Sequence, residues 1–125
     1  DGNAPQLIIR TSDALVADVE GMDIYRSAEN ALLVVSSQGS NSYVVFDLND
    51  GYRLVSHFVI RANPQQGVDG VSETDGLAVS VGPFPGYPQG ILVVQDGRNR
   101  MPDAPQNFKI IDWRDVQNLV ESSRP

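Results

Sequence analysis

An internal repeat constrains this chain more than any other feature. Glu20-Gly21-Met22-Asp23-Ile24-Tyr25 is matched by Asp75-Gly76-Leu77-Ala78-Val79-Ser80, 55 residues later. Leu33-Val34-Val35 is matched by Leu92-Val93-Val94 at an offset of 59, and Gly39-Ser40-Asn41 by Gly97-Arg98-Asn99 at 58. Each unit reads acid–Gly, short strand, turn, apolar strand, Gly-x-Asn turn, strand. Copies of one small unit cannot bury their apolar faces alone, so neighbouring copies are expected to stack.

The apolar pattern inside each unit is short and strand-like. Ala31 to Ser36 reads ALLVVS, a near-continuous run that suits a strand covered on both faces. Ser42 to Leu48 and Arg53 to Arg61 are rich in β-branched and aromatic residues. Asn49-Asp50-Gly51 between them is a hairpin turn, because Asp and Gly tolerate the positive φ it needs. Gln38–Asn41 is a second turn. Gly76–Val81, Gly90–Gln95 and Asn107–Asp112 read as further strands, with a Pro- and Gly-rich turn region, GPFPGYPQ, after the first of them. Residues 62–74 read as a loop. Residues 6–19 are expected to give a strand and then a loop. One helix is expected, over 113–122: Asp112 can cap it, Asp115 stands three residues on, and Val116, Leu119 and Val120 share one face.

A period of about 50 residues with three or four strands per unit is the pattern of a β-propeller blade. An antiparallel sandwich is the competing architecture, and the ordered match of three elements favours blades. The expected layout is a first blade over 13–62, a second over 63–112 and the helix over 113–122. That makes two to two and a half blades, whereas a closed propeller needs about four or more. The chain also begins at Asp1, without methionine or signal peptide. It is therefore expected to be part of a larger protein or to complete a ring with other copies.

Composition removes several function classes. The formal net charge is −7, which disfavours nucleic acid and favours cations. There is no cysteine and one histidine, so disulfides, thiolate chemistry and multi-histidine metal sites are excluded. No apolar run approaches the ~18 residues of a membrane span, so no membrane partner is expected. His57 lies inside a strand and is read as a packed or surface residue. Gly39-Ser40-Asn41-Ser42-Tyr43 lacks the second glycine of a nucleophile elbow, and no phosphate-binding glycine loop is present.

The acids recur with the repeat. Asp18, Glu20 and Asp23 precede or begin the first strand of the first unit; Asp69, Glu73 and Asp75 occupy the equivalent stretch of the second; Asp96 and Asn99 follow the next strand. Acids ahead of each innermost strand would share the mouth of a propeller channel, where they repel one another unless a hard cation lies between them. Calcium takes six to eight oxygens of this type. Asp and Glu beside Gly are also ordinary turn formers. The stretch from Asp69 to Gly76 fails as an EF-hand, because Thr74 stands where the glycine is needed.

Read in order, five words are specific: Asp18-Val-Glu20-Gly21-Met-Asp-Ile-Tyr25, Leu33-Val-Val-Ser36-Ser37-Gln38-Gly39-Ser-Asn41-Ser-Tyr43, Ser72-Glu-Thr-Asp75-Gly76, Val94-Gln95-Asp96-Gly97-Arg-Asn99 and Gln106-Asn107-Phe108-Lys109, followed by Trp113. From about Asp13 to about Asn118 the chain resembles the C-terminal part of the β-propeller phytases. The resemblance implies a typically six-bladed, calcium-dependent phosphatase, exported by bacteria to an extracellular or periplasmic location. Such enzymes hydrolyse myo-inositol hexakisphosphate by metal-activated water. It implies that Asp18, Glu20 and Asp75 are active-site calcium ligands. It implies structural Ca2+ sites at Asp69, Gly70 (through its backbone oxygen), Asp96 and Asn99. Arg98 stands where the family often has an acid, and Glu73 where it often has Asp.

The family's substrate-binding Lys and Arg residues and the rest of its calcium cluster come from earlier blades. The expected function is therefore the C-terminal part of a calcium-dependent 3-phytase-like enzyme, acting on phytate or another phosphate monoester, with these 125 residues inactive alone. The alternative is a non-catalytic propeller-derived binding or scaffold piece, favoured by Arg98 and the missing blades. A propeller lactonase is a remote third reading, opposed by the Ser-Ser-Gln-Gly and Gln-Asn-Phe-Lys words.

Overall fold

The computed structural model describes residue 2 and residues 4–124. Among the described residues seven strands make two antiparallel sheets. The first holds β1 (Val19–Arg26), β2 (Ala31–Ser37), β3 (Ser42–Asp47) and β4 (Arg53–Phe58) in the order β1-β2-β3-β4. The second holds β5 (Leu77–Ser80), β6 (Ile91–Asp96) and β7 (Asn107–Asp112) in the order β5-β6-β7. The α-helix α1 (Trp113–Ser122) follows. This is an all-β, antiparallel architecture consistent with part of a propeller-type fold.

The repeat extends to register. Met22, Asp23 and Ile24 of β1 lie opposite Val35, Val34 and Leu33 of β2; Leu77, Ala78 and Val79 of β5 lie opposite Val94, Val93 and Leu92 of β6. Val35 and Val44 pair across β2 and β3 as Val94 and Lys109 pair across β6 and β7. Because side chains alternate faces along a strand, equivalent positions can be compared face by face. The first sheet meets the second through Tyr25, Leu32, Val34, Tyr43 and Val45; the second answers with Leu77, Val79, Leu92, Val94 and Ile111. These two sets are not repeat equivalents. The sheets therefore stack head to tail, as successive copies of a unit do, rather than through like faces.

A second apolar cluster covers the far side of the first sheet. There Val35, Val44 and Phe46 pack under Leu15, with Ile9, Ala14 and Val19 at its edge. Residues 6–18 thus form no strand, contrary to the sequence expectation for their first part. Their apolar side chains are used to cover a sheet face rather than to extend a ladder.

β1 and β5 approach closely at Gly21. A Cβ there would stand 2.9 Å from Leu77 N and 3.1 Å from Asp75 O, both backbone atoms. Two residues on, Asp23 Oδ2 accepts a hydrogen bond from Val79 N at 2.8 Å, stitching the two inner strands together. The helix ties the outer parts. Asp112 caps it, its Oδ1 accepting from Arg114 N at 2.9 Å. Trp113 is fully buried and stacks on Tyr25, with ring centroids 3.9 Å apart and planes 6° from parallel. Tyr25 in turn donates its hydroxyl to Gln89 O at 2.7 Å, which satisfies the polar end of a buried ring. Val116 and Val120 complete the contact, and Ser123 Oγ donates to Val55 O on β4. Each large apolar side chain so buried stabilises the fold by about 1.5–3 kcal/mol. Among the described residues no helix is long and apolar enough to cross a membrane.

Gly21 and Gly76 occupy equivalent places in the repeat, but an added Cβ at Gly76 meets nothing within 4 Å. Gly21→Ala is expected to push β5 away and to cost about 1–3 kcal/mol, the range for overpacking. Gly76→Ala should stay within about 0.5 kcal/mol of the parent chain. Urea unfolding of the two variants checks this; equal losses would show that the inner strands do not depend on the close approach.

Candidate functional site

Two groups of polar residues stand out, one at the rim of the sheets and one between loops of the second sheet. The rim lies where β1 and β5 begin. A β-bulge between Val19 and Met22 interrupts the β1–β2 pairing and carries Glu20. Asp18, Glu20 and Asp75 are all exposed there. Gln38, at the turn after β2, joins two of them: its N–H donates to Asp18 O at 3.0 Å and its side-chain amide donates to Asp75 Oδ1. Asp75 N donates to Gln95 Oε1 at 2.9 Å, and Gln95 Nε2 donates to Gln106 Oε1 at 2.9 Å. A row of neutral amides, Gln38, Gln95 and Gln106, thus runs along the rim and orients Asp75 without neutralising it. Glu20 precedes Gly21, whose close approach to Asp75 O brings the two acid–Gly words side by side.

The segment before Asp75 is held from below. Ser36 Oγ donates to Thr74 O at 2.7 Å, and the Tyr43 hydroxyl is hydrogen-bonded to Thr74 Oγ1. Burial pushes the Tyr43 phenol up to about 12; the Thr74 bond works against that, and the nearby Asp96 charge adds to it.

The second group centres on Lys109. Its ammonium donates to Asp96 Oδ2 at 2.7 Å and to Asn107 Oδ1 at 2.7 Å, and bridges to Asp69 Oδ1 at 2.9 Å. The remaining oxygens are also taken. Asp69 Oδ2 accepts from Arg100 N at 2.7 Å, while Asp96 Oδ1 accepts from Ser72 N at 3.2 Å and Arg98 N at 3.3 Å. The Lys109 bond, followed by the Arg100 N–H, holds the Asp69 carboxyl below the usual carboxylate range. Burial works against the Lys109 ammonium, but its bonds to Asp96 and Asp69 outweigh that and raise its pKa. Gly70 packs its backbone against Ile60 O, and Asn99 Nδ2 reaches Pro105 O at 3.4 Å.

Arg98 pairs with Glu73 at 2.7 Å, and the guanidinium holds the Glu73 carboxyl below its usual range. Glu73 has φ of 51°, in the left-handed region. Its N–H donates to Asn41 Oδ1 at 2.8 Å, so the Gly-x-Asn turn of the first sheet supports the acid loop of the second. Asn41 itself has φ of 49°, a conformation that Asn tolerates better than most residues.

A calcium cage needs several oxygens converging with room for the ion. Among the described residues no three His, Cys, Asp or Glu side chains are grouped in that way. At Asp69 and Asp96 an ammonium lies between the carboxylates, and all four oxygens already accept from protein donors. At the rim the donor chemistry is suitable, but no three of the described acids group closely enough to enclose an ion. The described residues by themselves do not fit a resident calcium. The role of Lys109 is not visible in the sequence, where it is one cation in an alternating strand; only its placement opposite Val94, at the position of Val44 in the first sheet, reveals it. Asp23 likewise reads as a rim acid and instead bonds the neighbouring strand.

Comparison with known proteins places these features in context. The chain matches the family model described as Phytase over residues 1–124. It is 40% identical over 126 residues to a 3-phytase of Bacillus subtilis (strain 168). That alignment covers 96% of this chain and 32% of the relative, so the chain spans about a third of the length of the curated relative it matches.

Lys109→Met leaves Asp96, fully buried, and Asp69 without their cation. The expected loss is about 3 kcal/mol, the order seen when one partner of a buried ion pair is removed. Thermal unfolding checks it, and a loss within error would show that the pair is not a net support. Tyr43 is neutral in the folded chain until about pH 12, whereas an unfolded phenol ionises near 10. Its contribution is present below pH 10 and is lost as pH rises through 12. Ultraviolet titration should lose its highest step in Tyr43→Phe, and alkaline unfolding of that variant should be shallower between pH 10 and 12.

Proposed function

Because the chain belongs to the phytase family, we propose that these residues act as a non-catalytic, propeller-derived part of a phosphate-ester hydrolase. In this reading the two sheets are neighbouring blades, the first over 13–62 and the second over 63–112, with the 113–122 helix bracing them. Their task is to hold a rim of acids in place, while the rest of the site comes from outside these residues. The observation that carries the reading is the rim itself. Asp18 and Asp75 are joined through one glutamine at the end of two stacked sheets, yet no three acids converge there.

The chemistry of the substrate class points the same way. A phosphate monoester such as myo-inositol hexakisphosphate is densely anionic, and the uncompensated acids of the rim repel it. Binding it takes cations. Arg98 and Lys109, which flank the acid loops, are already committed to Glu73 and to Asp69 with Asp96. The missing positive charge therefore comes from elsewhere in the assembled protein. Calcium ions and the Lys and Arg residues of further blades are the natural sources. There Asp18, Glu20 and Asp75 serve as calcium ligands at the channel mouth. Asp69, Gly70, Asp96 and Asn99 serve chiefly as the frame of the second blade, and calcium at that frame must compete with Lys109. An extracytoplasmic location is carried over from the family resemblance, and the 3-phytase type from the matched relative.

Phosphate release from phytate by the 125-residue chain, with and without millimolar calcium, should not rise above a protein-free blank. Calorimetric calcium titration should give weak binding without a fixed stoichiometry. Tight stoichiometric uptake together with phytate turnover would falsify the scaffold reading in favour of a self-sufficient enzyme.

A further inference from the structure

A row of hydroxyls crosses the first sheet from β4 to the segment that covers it. Ser37 stands two residues after Val35 on β2 and Ser42 two before Val44 on β3, so both hydroxyls lie on the face covered by residues 6–18. His57 of β4 stands opposite Val44 on that face. His57 Nε2 lies 2.9 Å from Ser42 Oγ, Ser42 Oγ 2.7 Å from Ser40 Oγ, and Ser40 Oγ 2.8 Å from Ser37 Oγ. Ser37 Oγ then faces Val16 O at 3.0 Å and accepts from Val16 N at 2.7 Å. Ser37 and Ser42 are buried, whereas His57 is exposed. The row thus connects a solvent-facing imidazole to the backbone of the covering segment.

A proton count decides what the row can do. Four of its contacts each need one hydrogen: His57–Ser42, Ser42–Ser40, Ser40–Ser37 and Ser37–Val16 O. Three serine hydroxyls supply three of them, and the fourth must come from His57 Nε2. A protonated imidazole donates from both nitrogens and always supplies it. A neutral ring with its hydrogen on Nδ1 accepts from Ser42 instead. Each serine then turns its hydrogen toward the ring, and Val16 O loses its donor. Ser37 O, 3.3 Å from Ser40 Oγ, is the other acceptor in reach. That bond is longer, and with the ring accepting it leaves the Ser40 and Ser42 oxygens facing each other with no hydrogen between them.

Val16 leads to the rim. Gln38 N donates to Asp18 O at 3.0 Å, and Gly39 packs so closely that a Cβ on it would collide with Ala17 O. Residues 16–18 therefore rest on the turn at 37–40, and the hold at Val16 depends on the direction of the hydroxyl row. We propose that His57 is a positioning residue: through Ser42, Ser40 and Ser37 it holds Val16, and with it Asp18, and the hold tightens when the ring is protonated. The use of Asp18 as a rim acid rests on the reading above; the relay itself does not. The ionisable side chains on the elements of this face are Arg10, Asp13 and Asp18 of the covering segment, Asp47 of β3 and Arg53 of β4. Arg53 pairs with Asp50 at 2.6 Å, and His57 takes part in no ion pair among the described residues. β2 and residues 38–40 carry no charge.

The test follows the 125-residue chain by NMR across the titration of the His57 ring, read from its own ring-proton shift. Amide protection factors at Val16 and Gln38 are expected to rise about two- to tenfold as the ring is protonated, the span of one hydrogen bond. The Val16 carbonyl carbon should shift with the same midpoint as the ring. Ser40 is exposed, so Ser40→Ala can cut the row without opening the core. In that variant the ring should still titrate while Val16 and Gln38 no longer respond, and Ser40→Thr, which keeps a hydroxyl, should restore the response. His57→Phe should make both amides insensitive to pH over the same range. Protection that stays flat through the ring titration of the parent chain would overturn the relay, and so would a response that survives Ser40→Ala. Neither calcium nor phosphate enters these readouts, so failure here leaves the scaffold reading standing, and phytate turnover by the chain would remove that reading without touching the relay.

Discussion

The stacking of β1 against β5 is the contact on which the rest of the molecule depends. Two backbones come within van der Waals range only because Gly21 has no side chain. Asp23 then uses one carboxylate oxygen for its own strand, at Ile24 N, and the other for Val79 N of the next. This fixes both the spacing and the sliding register of the two sheets. Everything at the rim inherits that precision, including the nearness of the two acid–Gly words. The Tyr25–Trp113 stack and the helix supply a second tie between the two sheets.

The second unit adds a buried charge cluster to its apolar packing. Where the first sheet places Val44 opposite Val35, the second places Lys109 opposite Val94. A lysine there is tolerable because Asp69, Asp96 and Asn107 accept from its ammonium, and those acids are tolerable because the lysine is there. Burying either sign alone would cost several kcal/mol. Backbone donors from Ser72, Arg98 and Arg100 complete the arrangement, and among the described residues no buried side-chain nitrogen or oxygen lacks a partner. The segment that carries Glu73 and Asp75 is thereby pinned to the end of β6 and to β7.

Much of the fold was legible because its signals are local. β-Branched runs marked β2, β3, β4, β6 and β7, the Asn-Asp-Gly turn marked one hairpin, and an aspartate followed by apolar residues at helical spacing marked α1. The stretch around Leu7 to Ile9 misleads for the same reason. It has strand composition, but composition does not supply a partner edge, and Ile9 is drawn instead onto the face of Val35, Val44 and Phe46. The rim acids were legible as repeat equivalents. Their glutamine supports were not, because Gln38, Gln95 and Gln106 are far apart in sequence and carry no pattern of their own.

The sequence by itself determined that two like units exist, where their strands and turns fall, and which acids open each unit. These follow from alternation, turn chemistry and repetition, all of which act over a few residues. Only the tertiary structure decided which faces meet, that Lys109 neutralises Asp69 and Asp96, that Arg98 answers Glu73, and that the second sheet stops one strand short of the first. Those outcomes are set by distances between residues remote in the chain, and a distance across the fold is not encoded at any single position.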